Sequence, residues 1–152
     1  MNALSGNVII RPLRETDVPG LARIEREIFS MPWSEKAFLE LLEHPYSLYM
    51  VAESEGRPIG CAGLTMLDNE GDIEKVMVEE ARRGQGVGAV LLEELLREAA
   101  RRGVRDFTLE VRAGNRPAIR LYEKFGFAAE GLRPNFYTKP PEDALIMWRR
   151  RE

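Results

Sequence analysis

The chain has one cysteine, one histidine, and no long apolar run among its 152 residues. A lone Cys61 excludes an intrachain disulfide and a cysteine-built metal site, and it fits a reducing, cytoplasmic setting. His44, beside Pro45, has neither triad nor metal-ligand spacing, so no metal is expected. No stretch approaches the roughly eighteen apolar residues of a membrane span, so no membrane partner is expected either. Met1 to Gly6 lacks the cationic and apolar regions of a secretory leader. Repeats, low-complexity tracts and linkers are missing too, so residues 1–152 read as one domain. A formal net charge of -3 argues against a general phosphate-backbone binder, and no direct nucleic-acid contact is expected. Arg149-Arg150-Arg151 is read as a solvated charged tail.

What is present is enough for a packed core: 44% hydrophobic and 31% charged residues. Val8 to Arg11 reads as a first strand ending at Pro12. A helix is expected from about Thr16, with Thr16 or Asp17 as cap and Val18, Leu21, Ala22, Ile28 and Phe29 at helical spacing. A second helix starts at Ser34, buries Phe38, Leu41 and Leu42, and stops before Pro45. Tyr46 to Glu53 and Pro58 to Leu67 read as strands around the turn Ser54-Glu55-Gly56-Arg57, and Asp72 to Val78 as another.

The clearest helix runs from about Gly86 to Arg102. Val87, Leu91, Leu95 and Ala99 form one apolar row, with Leu92, Leu96 and Ala100 beside it. Glu93–Arg97 and Glu98–Arg102 pair on its wet side, and Gly103 suits the left-handed position that ends it. Phe107, Leu109 and Val111 alternate with Thr108, Glu110 and Arg112 as in a strand. A helix over about Arg116 to Phe125 follows. Two last strands, Phe127 to Leu132 and Ala144 to Arg149, are expected around a long loop containing Pro134, Pro140 and Pro141. This order predicts a mixed α/β (α+β) sheet with helices on its faces.

Between a strand and that clearest helix lies Arg83-Gly84-Gln85-Gly86-Val87-Gly88-Ala89. Alternating glycines permit a sharp turn and close ligand approach, and the helix start offers free N–H groups to an anion. The spacing fits neither a P-loop, which needs Gly-Lys-Ser/Thr, nor a dinucleotide fingerprint. A tight helix-entry turn without a ligand is the alternative.

Arg83-x-x-Gly86-x-Gly88 resembles the acetyl-CoA motif of the GNAT acetyltransferase superfamily. The likeness continues through Leu109 to Asn115, Ala118 to Glu123 and Phe125-Gly126-Phe127. Pro32-Trp33-Ser34 and Arg133-Pro134-Asn135-Phe136-Tyr137 resemble its ribosomal-protein-alanine N-acetyltransferase branch. The resemblance implies a mostly antiparallel sheet of about seven strands, four helices and a bulged central strand. It implies acetyl-CoA as co-substrate and a protein N-terminus, that of a ribosomal protein, as acceptor. Val76, Met77 and Val78 would flank the acetyl and pantetheine portion. Arg83, Gly84, Gln85, Gly86, Val87, Gly88 and Ala89 would hold the diphosphate. The blurred alternation in Glu74 to Val78 fits a bulge and equally a fully buried strand.

Amide formation from a thioester needs a neutral amine and a protonated leaving sulfur. An α-amino group, with pKa about 7.7–8.0 against about 10.4 for lysine, needs less help to lose its proton. Glu110, on the polar side of its strand, could accept that proton; a surface glutamate or an ion-pair partner is the plain alternative. Tyr122 could donate to the thiolate, or be an amphipathic core tyrosine. The resemblance makes Glu110 the base and Tyr122 the acid. Asn115 can cap the helix that follows it, and the resemblance adds a contact to CoA. Trp33, Asn135, Phe136 and Tyr137 are candidates for the substrate mouth, with ordinary packing as the alternative. Glu25, Glu27 and Glu35 are better explained as solvated helix faces than as attractors of a cationic peptide. Cys61 is expected to fill a strand core, which leaves direct transfer in a ternary complex rather than a covalent route. A GNAT acting on lysine or a small amine, and an acyl-CoA sensor without activity, remain as rival readings.

Overall fold

The computed structural model describes residues 7–151. β1 (Val8–Pro12) leads through a 3-10 turn over Glu15–Asp17 into α1 (Val18–Ile28) and α2 (Glu35–Glu43). Next come β2 (Ser47–Ser54), β3 (Arg57–Leu67) and β4 (Glu70–Val78). After a second 3-10 turn over Glu80–Arg82, α3 (Val87–Arg101), β5 (Asp106–Arg112), α4 (Arg116–Lys124), β6 (Ala128–Thr138) and β7 (Pro141–Arg149) complete the described chain. The seven strands lie in the order β1-β2-β3-β4-β5-β7-β6, antiparallel at every pair except β4 with β5.

The sheet carries a core on each face. α3 buries Val87, Leu91, Leu92, Leu95, Leu96 and Ala99 against Leu64, Ile73, Phe107 and Leu109, and each such leucine contributes about 1.5–3 kcal/mol. Ala100, expected in the second apolar row, is exposed. On the other face α1 and α2 pack Val18, Leu21, Ile24 and Phe38 over Val51, Cys61 and Met77. Leu42, expected inside, is 42% exposed because α2 presents only one narrow edge to the sheet. Asp17 precedes α1, yet its carboxylate accepts the Arg14 N–H at 2.8 Å and pairs with Arg11 instead of capping the helix.

β4 determines where the site forms. Gly63 pairs with Lys75 and Leu64 with Ile73, so Glu74 is an extra residue in β4, a β-bulge. β5 pairs with β4 only over Glu70–Ile73. Beyond Ile73, β4 stays with β3 while β5 stays with β7, and the two strands part.

The end of the chain differs from the expected long loop. β6 and β7 form one hairpin reaching Thr138 and Pro141. Pro134 sits in an irregularity between Arg133 and Tyr137, where a missing N–H costs no ladder bond. The Lys139–Pro140 peptide is cis and lies in the tight turn.

Candidate active site

The parting of β4 and β5 opens a cleft of about 690 Å³. Phe107, Leu109 and Val111 belong to the core under α3 and α4, so the strand period turns Glu110 to the opposite face. Tyr122, on α4, comes from the α3 side. Both residues line the one cleft, together with Val76, Asn115, Trp33, Phe136 and Tyr137.

Burial raises the Tyr122 phenol to about 12, with Tyr137 adding to the shift, so the hydroxyl keeps its proton at neutral pH. Its ring meets Phe127 edge-on at 5.8 Å. The Glu110 carboxylate is 29% exposed and pairs with Arg133 at 2.8 Å. Tyr137 is held above its ordinary pKa by burial first and by the Glu110 carboxylate second. Asp72 is raised by burial, then by Glu74 and Glu110, which marks three carboxylates on the open face of the sheet.

Asn115 caps α4, its side chain accepting the Ala118 N–H at 3.3 Å. The Trp33 ring lies tilted against Phe38 at 5.3 Å and against Tyr49 at 6.1 Å. Phe136 is 43% exposed at the cleft edge, and Tyr137 packs beneath the Arg112 guanidinium at 4.3 Å. Asn135 does not line the cleft. It takes φ +56, with its N–H held by Asp143 at 2.9 Å, and so shapes the irregularity that presents Phe136. Met77 also lies outside the cleft, its side chain buried in the α1–α2 core.

The glycine turn follows β4, and its residues 83 to 86 are exposed. Gly84 and Gly86 adopt φ +78 and +86, which an L side chain tolerates poorly. Gly86 caps α3 without any side-chain acceptor. The first bond of the helix is Val90 N–H to the Gly86 carbonyl, so the N–H groups of Val87, Gly88 and Ala89 precede the ladder. Arg83 donates through Nε to the Val78 carbonyl at 3.3 Å, and Gln85 accepts from Arg82 at 3.2 Å. Uncapped N–H groups beside two arginines fit a phosphate-bearing ligand.

Several site residues escaped the sequence reading. The Glu74 carboxylate accepts from the Tyr49 hydroxyl at 2.8 Å and the Thr65 hydroxyl at 2.7 Å. Lys75 pairs with Glu25, its ammonium 4.1 Å from the Trp33 ring and 4.7 Å from that of Phe29. Glu25 is therefore buried and neutralised rather than solvated, whereas Glu27 pairs with Arg23 at the surface. Arg112 donates to the carbonyls of Lys139 and Pro140 and to Glu142, tying the hairpin tip to the cleft. These contacts join residues far apart in sequence. Arg112 and Arg133 stand inside the quoted motifs, yet their local sequence gives no sign of these contacts.

The model of the Acetyltransferase (GNAT) family matches residues 18–127. A ribosomal protein bS18-alanine N-acetyltransferase of Escherichia coli is 36% identical over 140 residues, 91% of this chain and 94% of that protein. The N-alpha-acetyltransferase RimI of Mycobacterium tuberculosis is 36% identical over 155 residues, covering 98% and 96%. A crystal structure of the ribosomal-protein-S18-alanine N-acetyltransferase from Escherichia coli superposes with a TM-score of 0.87 at 35% identity, covering 95% of this chain and 94% of that one.

Proposed function

Since the chain belongs to the GNAT acetyltransferase family, we propose that it transfers acetyl from acetyl-CoA to the N-terminal α-amine of a protein, alanine of a ribosomal protein in particular. The observation that carries the reading is the meeting of Glu110 and Tyr122 in one cleft from opposite faces of the sheet. The acceptor follows from the similarity to enzymes named for the alanine of ribosomal protein bS18.

Acetyl-CoA supplies an acetyl group activated as a thioester. The N–H groups at the start of α3 and Arg83 hold its diphosphate, and Val76 borders the splay where the reacting end lies. Glu110 accepts the ammonium proton, directly or through one water, and frees the lone pair that forms the C–N bond. As the C–S bond breaks, Tyr122, which carries its proton at neutral pH, gives it to the sulfur, and the second proton shed by the new amide nitrogen restores the phenol through water. Cys61 is unsuited to a covalent relay, because it is fully buried and its thiol is pushed up to about 12 by burial.

The test pairs acetyl-CoA with two peptides, one with a free N-terminal alanine and one N-blocked but containing lysine. A mass gain confined to the first supports the reading. A gain confined to the second sinks it, and CoA binding without any gain makes the protein a sensor.

A further inference from the structure

Ile73 and Met77 are separated by an even number of positions on β4, yet Ile73 belongs to the core under α3 and Met77 to the core under α1 and α2. An unbroken strand would put both on one face; the extra residue at Glu74 switches the side. Lys75 follows the bulge and so shares the face of Met77. Its side chain is 7% exposed, and that of its partner Glu25, on α1, is 1% exposed. Both carboxylate oxygens of Glu25 are engaged, Oε2 with the Lys75 ammonium and Oε1 with the Trp33 N–H at 3.0 Å. The same ammonium lies 4.7 Å from the Phe29 ring and 4.1 Å from the Trp33 ring. Phe29 and Trp33 stand near the two ends of the segment that joins α1 to α2 and lines one side of the cleft.

A buried ion pair returns little stability for the dehydration it costs, and an apolar pair of similar volume would pack as well. What this pair adds is geometry. One ammonium holds both rings, and through Glu25 it holds the Trp33 backbone. Between the rings, the Ser30 hydroxyl donates to the Lys139 carbonyl at 2.6 Å, so the segment is fixed from the hairpin side as well. We infer that Lys75 is a positioning residue for the acceptor, its ammonium holding the Phe29–Trp33 segment as a preformed wall of the cleft. The inference rests on the cleft being the site of acetyl transfer. Lys75 acts through the segment and takes no part in proton transfer. An acceptor that meets a wall already in place does not have to order it. Where the wall is in place only part of the time, apparent affinity falls by that fraction. The glycine turn lies outside the cleft lining, so the hold on the diphosphate is independent of the segment.

The test measures kcat, the KM of a peptide with N-terminal alanine and the KM of acetyl-CoA in the wild type, Lys75→Met and Lys75→Met/Glu25→Gln. Lys75→Met leaves a buried carboxylate unpaired and loses stability for that reason alone. The double variant removes the stray charge, and an amide oxygen still accepts the Trp33 N–H. A role in stability alone predicts that the double variant recovers the wild-type peptide KM. The positioning role predicts that it does not, because neither ring has its cation. The peptide KM should stay raised about tenfold, with kcat and the acetyl-CoA KM within about twofold of the wild type. In a Trp148→Phe background, where Trp33 is the one tryptophan left, acrylamide should quench the double variant more strongly than the chain that keeps Lys75 and Glu25. A wild-type peptide KM in the double variant overturns the inference, and so does unchanged quenching. A fall in kcat, or an acetyl-CoA KM raised as much as that of the peptide, overturns it too. Failure of the underlying function reading looks different: the wild type would leave the peptide unmodified while the quenching difference persists.

Discussion

The Tyr49 hydroxyl donates a 2.8 Å hydrogen bond to Glu74, the residue that bulges from β4. The Tyr49 ring lies flat over Gly63, where a Cβ would overlap three of its ring carbons. Gly63 pairs with Lys75 beside the bulge, so glycine, tyrosine and bulge form one packed unit under the cleft. Gly63→Ala should cost about 1–3 kcal/mol by overpacking. Denaturant unfolding checks this. A variant as stable as the wild type would show that the ring can move aside.

Glu110→Gln keeps the shape of the base and removes its ability to accept a proton. Turnover should fall by about 10²–10⁴-fold, the usual contribution of a general base. Affinity for acetyl-CoA should hold, because the glycine turn lies outside the cleft lining. Steady-state kinetics with calorimetric titration of CoA separate the two quantities. Unaltered turnover would remove Glu110 as the base.

Gly86 and Gly88 make a contrast within a single turn. Gly86 has φ +86, whereas a Cβ on Gly88 would meet Val78, Leu121 and Val76 at ordinary distances of 3.7 to 4.0 Å. Gly86→Ala forces about 1–2 kcal/mol of left-handed strain into the helix start, or bends the N–H groups away from the ligand. CoA affinity should drop roughly tenfold, since about 1.4 kcal/mol is one decade. Gly88→Ala should retain folding stability. Equal CoA affinity of Gly86→Ala and the wild type would contradict a diphosphate site at this turn.

The elements that local sequence dictates were legible: α3 from its apolar row, the Gly103 stop, and the alternation of β5. The bulge showed only as a blur, because an extra residue and a doubly buried strand disturb a period of two in the same way. Three prolines suggested a loop where β6 and β7 form a hairpin. Pro134 falls in an irregularity, Pro140 in the turn, and Pro141 at a strand start, all positions that need no donor. Glu110 and Tyr122 were placed by resemblance, but their partners were not. Glu110–Arg133 and Lys75–Glu25 each join segments that only the folded sheet brings together.

Tyr122 also leaves a mark on stability. Burial raises its pKa from 10.0 to about 12 in the folded protein, while the unfolded chain keeps the ordinary value. Below pH 10 both states carry the phenol proton, and the group's contribution is fully present. Between pH 10 and about 12 the unfolded state loses protons that the folded state retains, so stability falls as pH rises. The loss should reach about 1.4 kcal/mol one unit above the unfolded pKa and about 2–3 kcal/mol in all. Tyr49 and Cys61, also raised by burial, add their own losses, so the wild type must be compared with Tyr122→Phe. The difference in unfolding free energy between the two should be flat from pH 7 to 9 and then shift against the wild type by pH 11. A difference that stays flat through pH 11 would mean that the folded phenol ionises as readily as the unfolded one. Burial would then add nothing to the protonation that an ordinary phenol, with a pKa of about 10, already has at neutral pH.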